Sequence, residues 1–232
     1  RAFVDAVRAA SPDAPSPRRD AVRLGVRGLP FPPKDLEAAL PQQKAILSAL
    51  QDALLRAPIE LAGSKTGVYV GMGCDPEIAR WGARWRLPDG DPRRDALAPP
   101  LQASMVVGTM PNMPANRVSS ALDLRGPSFT VSAEERSGHV ALALAARALR
   151  AGEIDRAVVG AVDFSAEPVH ARARDEVRPS EAVPGDGAVV LVLMRADEAR
   201  AHHLPVWSEI EAVLAAEDDG RAEAADARPP VG

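Results

Sequence analysis

The amino-acid sequence predicts a layered α/β fold, and three observations carry that prediction. Compact apolar runs edged by glycine read as buried strands: KTGVYVGMG (65–73), DRAVVGAVDFS (155–165) and GAVVLVLMR (187–195). Between them stand helical segments, above all the Ala/Leu-rich SGHVALALAARALRA (137–151). Strands and amphipathic helices alternate along the chain, so the sheet is covered on at least one face.

The elements follow in order. Residues 1–24 read as an N-terminal extension or linker, because SPDAPSPRR (11–19) is Pro/Ser-rich and charged. In FPPKDLEAALPQQKAILSALQDALLRA (31–57), apolar residues recur at helical spacing, but Pro41 lacks the donor a helix interior needs. The segment is therefore a short helical turn, then a helix to about Arg56. The strand at 65–73 follows. Residues 74–104, rich in Pro, Asp, Arg and Trp, read as a long surface excursion. Residues 105–122 read as a loop with two prolines and then a short helix. FTVSA (129–133) reads as a strand, and Gly152 closes the helix of 137–151 as a C-terminal cap. The strands at 155–165 and 187–195 come next, then a short helix at 196–203. VWSEIEAVLAA (206–216) alternates in part and reads as a last strand. The main domain thus spans 25–216, and the acidic, Ala-rich tail 217–232 reads as mobile or as a truncated edge.

Composition narrows the function. The net charge of −4 gives no global basic field for nucleic acid or an anionic membrane. The single cysteine, Cys74, excludes a disulfide framework within the chain, and the four histidines show no zinc spacing. No apolar run reaches the ~20 residues of a membrane helix, and no secretory core opens the chain, so a cytoplasmic protein is expected. Arg1 stands where a start would be, so the chain reads as cut from something longer. Only three of the 28 basic residues are lysines (Lys34, Lys44, Lys65), a bias that speaks of a GC-rich genome rather than of function. With 3% aromatics, the core must be packed by Ala, Val and Leu.

Chemistry is expected where a strand runs directly into a helix, because the helix N-terminus offers free N–H groups and a partial positive charge. Here the turn is Ala133-Glu134-Glu135-Arg136-Ser137. A Ser or Cys nucleophile at its centre would suggest acyl transfer. Two glutamates stand there instead.

NRVSSALDLRGPSFTV (116–131), the Ala/Leu helix after it and LRAGEIDRAVVGAVD (149–163) together resemble the β-ketoacyl synthase (ketosynthase) domains of polyketide and fatty acid synthases. FPPKDLEAALPQQ, KTGVYVGMG and PGDGAVVLVLMRADEARA resemble three further pieces of that family, collinear over about 25–216. The resemblance implies a thiolase-like fold, a layered αβα arrangement with a mixed sheet, represented mainly by its first half. It also places the family's nucleophilic cysteine, in a pattern close to Asp-Thr-Ala-Cys-Ser-Ser, at Glu135, with Glu134, Arg136 and Ser137 flanking it. A carboxylate cannot hold an acyl chain as a thioester, so no catalytic residue is expected here. His139, His170, His202 and His203 stand in neither of the His-Gly-Thr and Gly-His-Thr settings of the family.

Ser-Ala-Glu-Glu, with Met-Pro-Asn-Met-Pro-Ala-Asn (110–116) upstream, is similar to the chain-length-factor-like domains of polyunsaturated fatty acid synthases, inactive ketosynthase paralogues that pair with an active one. The implied function is a non-condensing partner in a heterodimer that shapes the acyl tunnel of an active ketosynthase domain. Met110 and Met113 would bound that tunnel, because Met fills irregular apolar space, or would simply pack their own loop. Asn116 and Arg117 would hold the loop rather than touch substrate. Phe129, Thr130 and Val131 would form the strand edge that pairs with the partner. The chain itself would need no cofactor and no metal, since phosphopantetheine would arrive on the acyl carrier protein domains. Two alternatives stay open: a malonyl-carrier decarboxylase or residual acyltransferase using Glu135, which a buried anion would disfavour by repelling malonyl carboxylate, and a purely structural scaffold.

Other polar residues read more plainly. Cys74 has no histidine near it in sequence and reads as a small residue. His139 reads as structural, and His202-His203 as a helix C-terminus favoured by the dipole. Trp81 and Trp85, with Arg80, Arg84 and Arg86, read as a loop packed on its own domain, or else as an amphipathic patch that docks a carrier protein or neighbouring domain. Gly185 and Gly187 read as turn residues.

Overall fold

The computed structural model describes residues 21–56, 59–177, 185–213, 215–216 and 222–223. Its main sheet has four strands in the order β2-β1-β3-β4, with β1 at Thr66–Met72, β2 at Ser128–Val131, β3 at Arg156–Phe164 and β4 at Asp186–Met194. β1 runs parallel to both β2 and β3, and β4 runs antiparallel to β3. The sheet is mixed, as the resemblance implied. All seven residues of β1 are buried, as a central strand covered on both faces requires.

The two faces are read off the period-2 alternation of the strands. Val68, Val70, Val158 and Val162 meet Ile46, Leu47 and Leu50 of α2 (Pro41–Arg56) and Val118 of α6 (Met113–Ala121). Tyr69, Ala157 and Val159 meet Ala141, Ala145 and Leu149 of α7 (Ser137–Arg150). Three layers result: α2 and α6, the sheet, α7.

The short turn at Pro33–Glu37 (α1) and α2 start at prolines, which fix a helical φ where no donor is needed. α7 ends as its glycine predicts. Gly152 takes φ +68, its N–H donates to Leu149 O at 3.2 Å, and the Glu153 N–H donates to Ala148 O at 3.0 Å, a Schellman motif. α9 (Ala196–Ala201) closes in the same way on a non-glycine residue, His203, at φ 52.

Four expectations need correction. Residues 74–104 are not a surface excursion: they hold α3 (Pro76–Arg86), α4 (Arg93–Leu97) and the start of α5 (Ala103–Thr109). Asp75 caps α3 by accepting the Glu77 N–H at 3.0 Å. Trp81 is buried against Leu40 and Ala98, and its indole N–H donates to Pro99 O. Second, the first part of 105–122 is helical, because α5 ends only at Thr109. Third, residues 206–213 form no strand, with Val206, Trp207 and Ile210 exposed; of the expected last strand, the described residues hold just Ala215–Ala216, paired with Ala222–Glu223. Fourth, Gly187 lies within β4, opposite Asp163, rather than in a turn. The segment after β3 carried no sequence reading; it forms α8, Pro168–Val177, which buries none of its residues. The linker at 11–19, and the tail apart from 222–223, lie outside the described residues.

Candidate functional site

The turn between β2 and α7 lies at the carboxyl edge of the three parallel strands, where ligands of open α/β sheets bind. Its backbone is folded tightly. The N–H groups of Arg136 and Ser137 donate to Ala133 O (3.0 Å) and Glu134 O (3.1 Å). The buried Ser137 hydroxyl accepts the Ala133 N–H at 2.9 Å and donates to Glu134 O at 2.6 Å. Glu134 takes φ 52, a left-handed conformation that costs a non-glycine residue of order 1 kcal/mol.

Glycines seat the start of α7 on the sheet. A Cβ on Gly71 of β1 would stand 2.3 Å from the carbonyl carbon and oxygen of Ser137. A Cβ on Gly138 would stand 2.7 Å from the Ala161 Cβ of β3. The first turn of the helix therefore rests on bare backbone between β1 and β3. Glu135 follows the strained residue directly. Glu134, Glu135 and Arg136 are all exposed. The expectation of a buried anion at the base of a pocket is not met among the described residues, where Glu135 is exposed.

The remaining site residues lie along the β2 side of the molecule. β2 is an edge strand. Phe129 is exposed, yet it packs edge-on against Tyr69 with ring centroids 5.0 Å apart, while Thr130 and Val131 are half-buried. Met110 lies exposed between α5 and α6, beside the exposed Val106 and Val107. Met113 opens α6 half-buried, and Asn116 is exposed on the same helix.

The carboxyl edge carries a second group of polar residues that sequence reasoning missed. Asp163 and Ala161 share the face of β3 that carries α7. The Asp163 carboxylate lies 3.9 Å from His170 Nδ1 on α8. Burial raises its pKa, aided by Asp186, while His170 and Ser165 pull it down. Arg80 of α3 pairs with both Glu77 and Glu167 and so ties α3 to the start of α8. The available signal was the spacing of Asp163, Glu167 and His170 across the end of a strand. Among the described residues, no group of three His, Cys, Asp or Glu side chains could hold a metal ion. No described helix is long and apolar enough to cross a membrane. An apolar groove of about 420 Å³, lined by Leu54, Ile59, Leu61 and Leu122, lies at the opposite edge of the sheet.

Asp75 yields a prediction. It is buried, and burial raises its pKa against the backbone hydrogen bonds of Glu77 and Gln42. A carboxyl raised on folding stabilises most below its unfolded pKa and loses that contribution as pH climbs through the folded value. Asn caps helices as well as Asp does. Asp75→Asn is therefore expected to gain about 1 kcal/mol at pH 7. The gain should shrink as pH falls towards the ordinary carboxylate range, in urea unfolding curves measured across that window.

Residues 27–199 match the family model for the β-ketoacyl synthase N-terminal domain. The chain is 34% identical over 186 residues to the 6-methylsalicylic acid synthase of Aspergillus niger, covering 73% of this chain and 10% of that protein. It is 32% identical over 191 residues to the erythronolide synthase EryA3 of Saccharopolyspora erythraea, covering 75% of this chain and 6% of that one. Among solved structures, the ketosynthase from module 6 of the Bacillus subtilis bacillaene synthase overlays with a TM-score of 0.62 at 24% identity, over 80% of this chain and 31% of that one. A PfaC keto synthase–chain length factor overlays with a TM-score of 0.62 at 20% identity, over 75% of this chain and 22% of that one. These overlays establish the thiolase-like ketosynthase fold, and the chain spans only a small part of the proteins it matches.

Proposed function

The chain belongs to the β-ketoacyl synthase family, and from that premise we propose that it is a non-condensing, chain-length-factor-like member of a polyketide or polyunsaturated fatty acid synthase. The observation that carries this reading is Glu135. It stands where the family's nucleophile belongs, on a turn whose strained backbone and seated helix are intact. A carboxylate can form no thioester with the growing chain. The sole cysteine, Cys74, lies three residues past Gly71 of β1, and its thiol donates to Asp75 O at 3.8 Å rather than to a base among the described residues.

In this reading the partner is an active ketosynthase domain, engaged through the edge strand β2. An unpaired strand edge is a template for another chain, and pairing there would cover Phe129. Met110 and Met113 would then border the partner's acyl tunnel. Acyl carrier protein domains would deliver substrate on phosphopantetheine, and this chain would supply no cofactor and no metal.

One observation favours a second reading. Glu135 is exposed at the start of α7, so a ligand could reach it, and a malonyl-carrier decarboxylase or residual acyltransferase could use it. The two readings separate in one experiment on the complete polypeptide with its neighbouring domains. Malonyl-carrier decarboxylation is expected to be equal in the native protein and in Glu135→Ala. Met113→Trp is expected to shorten the product. A decarboxylation rate that collapses in Glu135→Ala would overturn the non-catalytic reading. Unchanged product length in Met110→Trp and Met113→Trp would reduce the domain to a scaffold.

A further inference from the structure

The turn from Met110 to Met113 is held from beneath at two points, both on the segment that runs from Phe31 into the first turn of α2. On one side, the buried Gln43 side chain donates from Nε2 to Gly108 O at 2.5 Å. Gly108 itself lies against backbone: a Cβ there would stand 2.8 Å from Ala38 O and 3.0 Å from Ala39 Cα. α5 thus rests on the chain just after α1 without any intervening side chain.

On the other side stands Arg117, one turn past Met113 on α6. It is only 2% exposed. Its guanidinium lies over the Phe31 ring, 5.6 Å from the centroid, and donates from Nη2 to Asp35 O at 3.4 Å. Nε and Nη1 have no hydrogen-bond partner among the described residues. Burial lowers its pKa, and the nearby Asp35 carboxylate opposes that shift. A cation this deep with one weak hydrogen bond is a poor source of stability, since desolvation outweighs what it recovers. What it does supply is a fixed attachment. The planar head can stack on Phe31 and reach Asp35 only when α6 sits in one place.

We propose that Gln43 and Arg117 are positioning residues that clamp the Met110–Met113 turn to the 31–43 segment and make it a fixed wall. This rests on the reading above, in which the two methionines border an acyl tunnel. Methionine alone is adaptable and would accept chains of several lengths. A clamped backbone confines that adaptability to the side chains, so the wall sets one length rather than a range.

The test has a local and a functional part. Native-state hydrogen exchange on the full chain is expected to show amides of 105–116 exchanging at least about tenfold faster in Gln43→Met and in Arg117→Met, with β1 and β3 unchanged. Arg117→Lys, which keeps the charge but loses the planar head, should fall between and guards against a Met variant that does not fold. Unchanged exchange, or acceleration spread evenly over β1 and β3, would overturn the clamp. In the assembled synthase, Gln43→Met and Arg117→Lys should broaden the product-length distribution, whereas Met113→Trp should shift it. If Met113→Trp shifts the products and the clamp variants leave them as narrow as before, the clamp fails while the tunnel reading stands. If Met113→Trp shifts nothing, the tunnel reading fails and the clamp's role in setting length falls with it.

Discussion

Gly71→Ala is expected to cost about 3 kcal/mol or more, the upper range for overpacking, in urea unfolding of the full chain. The atoms in the way are backbone. The new Cβ would lie 2.3 Å from Ser137 C and O and 2.4 Å from Gly138 N, where no side-chain rotation can relieve the clash. Either α7 lifts off the sheet at its first turn or β1 bows. Lifting α7 also pulls Gly138 from Ala161 and breaks the Ser137 hydroxyl bonds that close the turn at Glu134. The same substitution two residues on is the control. A Cβ on Gly73 meets nothing within 4 Å, so Gly73→Ala should fall within about 0.5 kcal/mol of the native protein. Equal losses at the two positions would mean that the seat under α7 is not what Gly71 provides.

That contrast also shows what the sequence could disclose. β1, β3, β4 and α7 were legible because each is long, apolar and strongly periodic, and Gly152 marked the end of α7 through the φ it had to adopt. α3, α5 and α8 were obscured for separate reasons. α3 is amphipathic around Trp81, but its Pro, Arg and Trp suggested a loop, although Asp75-Pro76 is a capping signal. α5 carries Val106 and Val107, whose branched side chains favour strands and loops. α8 has only a thin line of Val169, Ala173 and Val177 and buries none of its residues, so its Arg172–Glu176 pair at i, i+4 was as strong a hint of a helix as its apolar pattern. At 206–213 the opposite happened: alternation suggested a strand, but alternation cannot provide a neighbour to pair with. The place of Glu135 on a turn between a strand and a helix was legible from the pattern of FTVSA followed by the Ala/Leu-rich segment. Its exposure was not, because burial of a turn depends on what other segments lie over it. Gln43 and Arg117 were equally hidden as a pair, since 74 positions of sequence separate two residues that hold one turn.

Ile46→Ala is the other large loss, expected at about 2–5 kcal/mol, the range for emptying a fully buried aliphatic site. Ile46 is 0% exposed at the centre of the layer that α2 forms on the sheet. Its Cδ1 reaches down to Gly160 of β3, the one position in that strand with no side chain to meet it: a Cβ there would lie 3.1 Å from Ile46 Cδ1 and 3.5 Å from Val70 Cγ2. The isoleucine and the glycine are therefore complementary halves of one contact, and a double-mutant cycle should show it. In the native background Gly160→Ala crowds Ile46 and is expected to destabilise. In the Ile46→Ala background the same methyl enters the vacated space and should restore part of the loss, a coupling of about 1 kcal/mol or more. Additive losses would mean that α2 settles onto the sheet when Ile46 is truncated, leaving no cavity for the methyl to fill. The outcome bears on the site as well, because α2 carries Gln43. A helix that settles on the sheet would draw Gln43 away from Gly108, so exchange at 105–116 should quicken in Ile46→Ala only if the losses are additive.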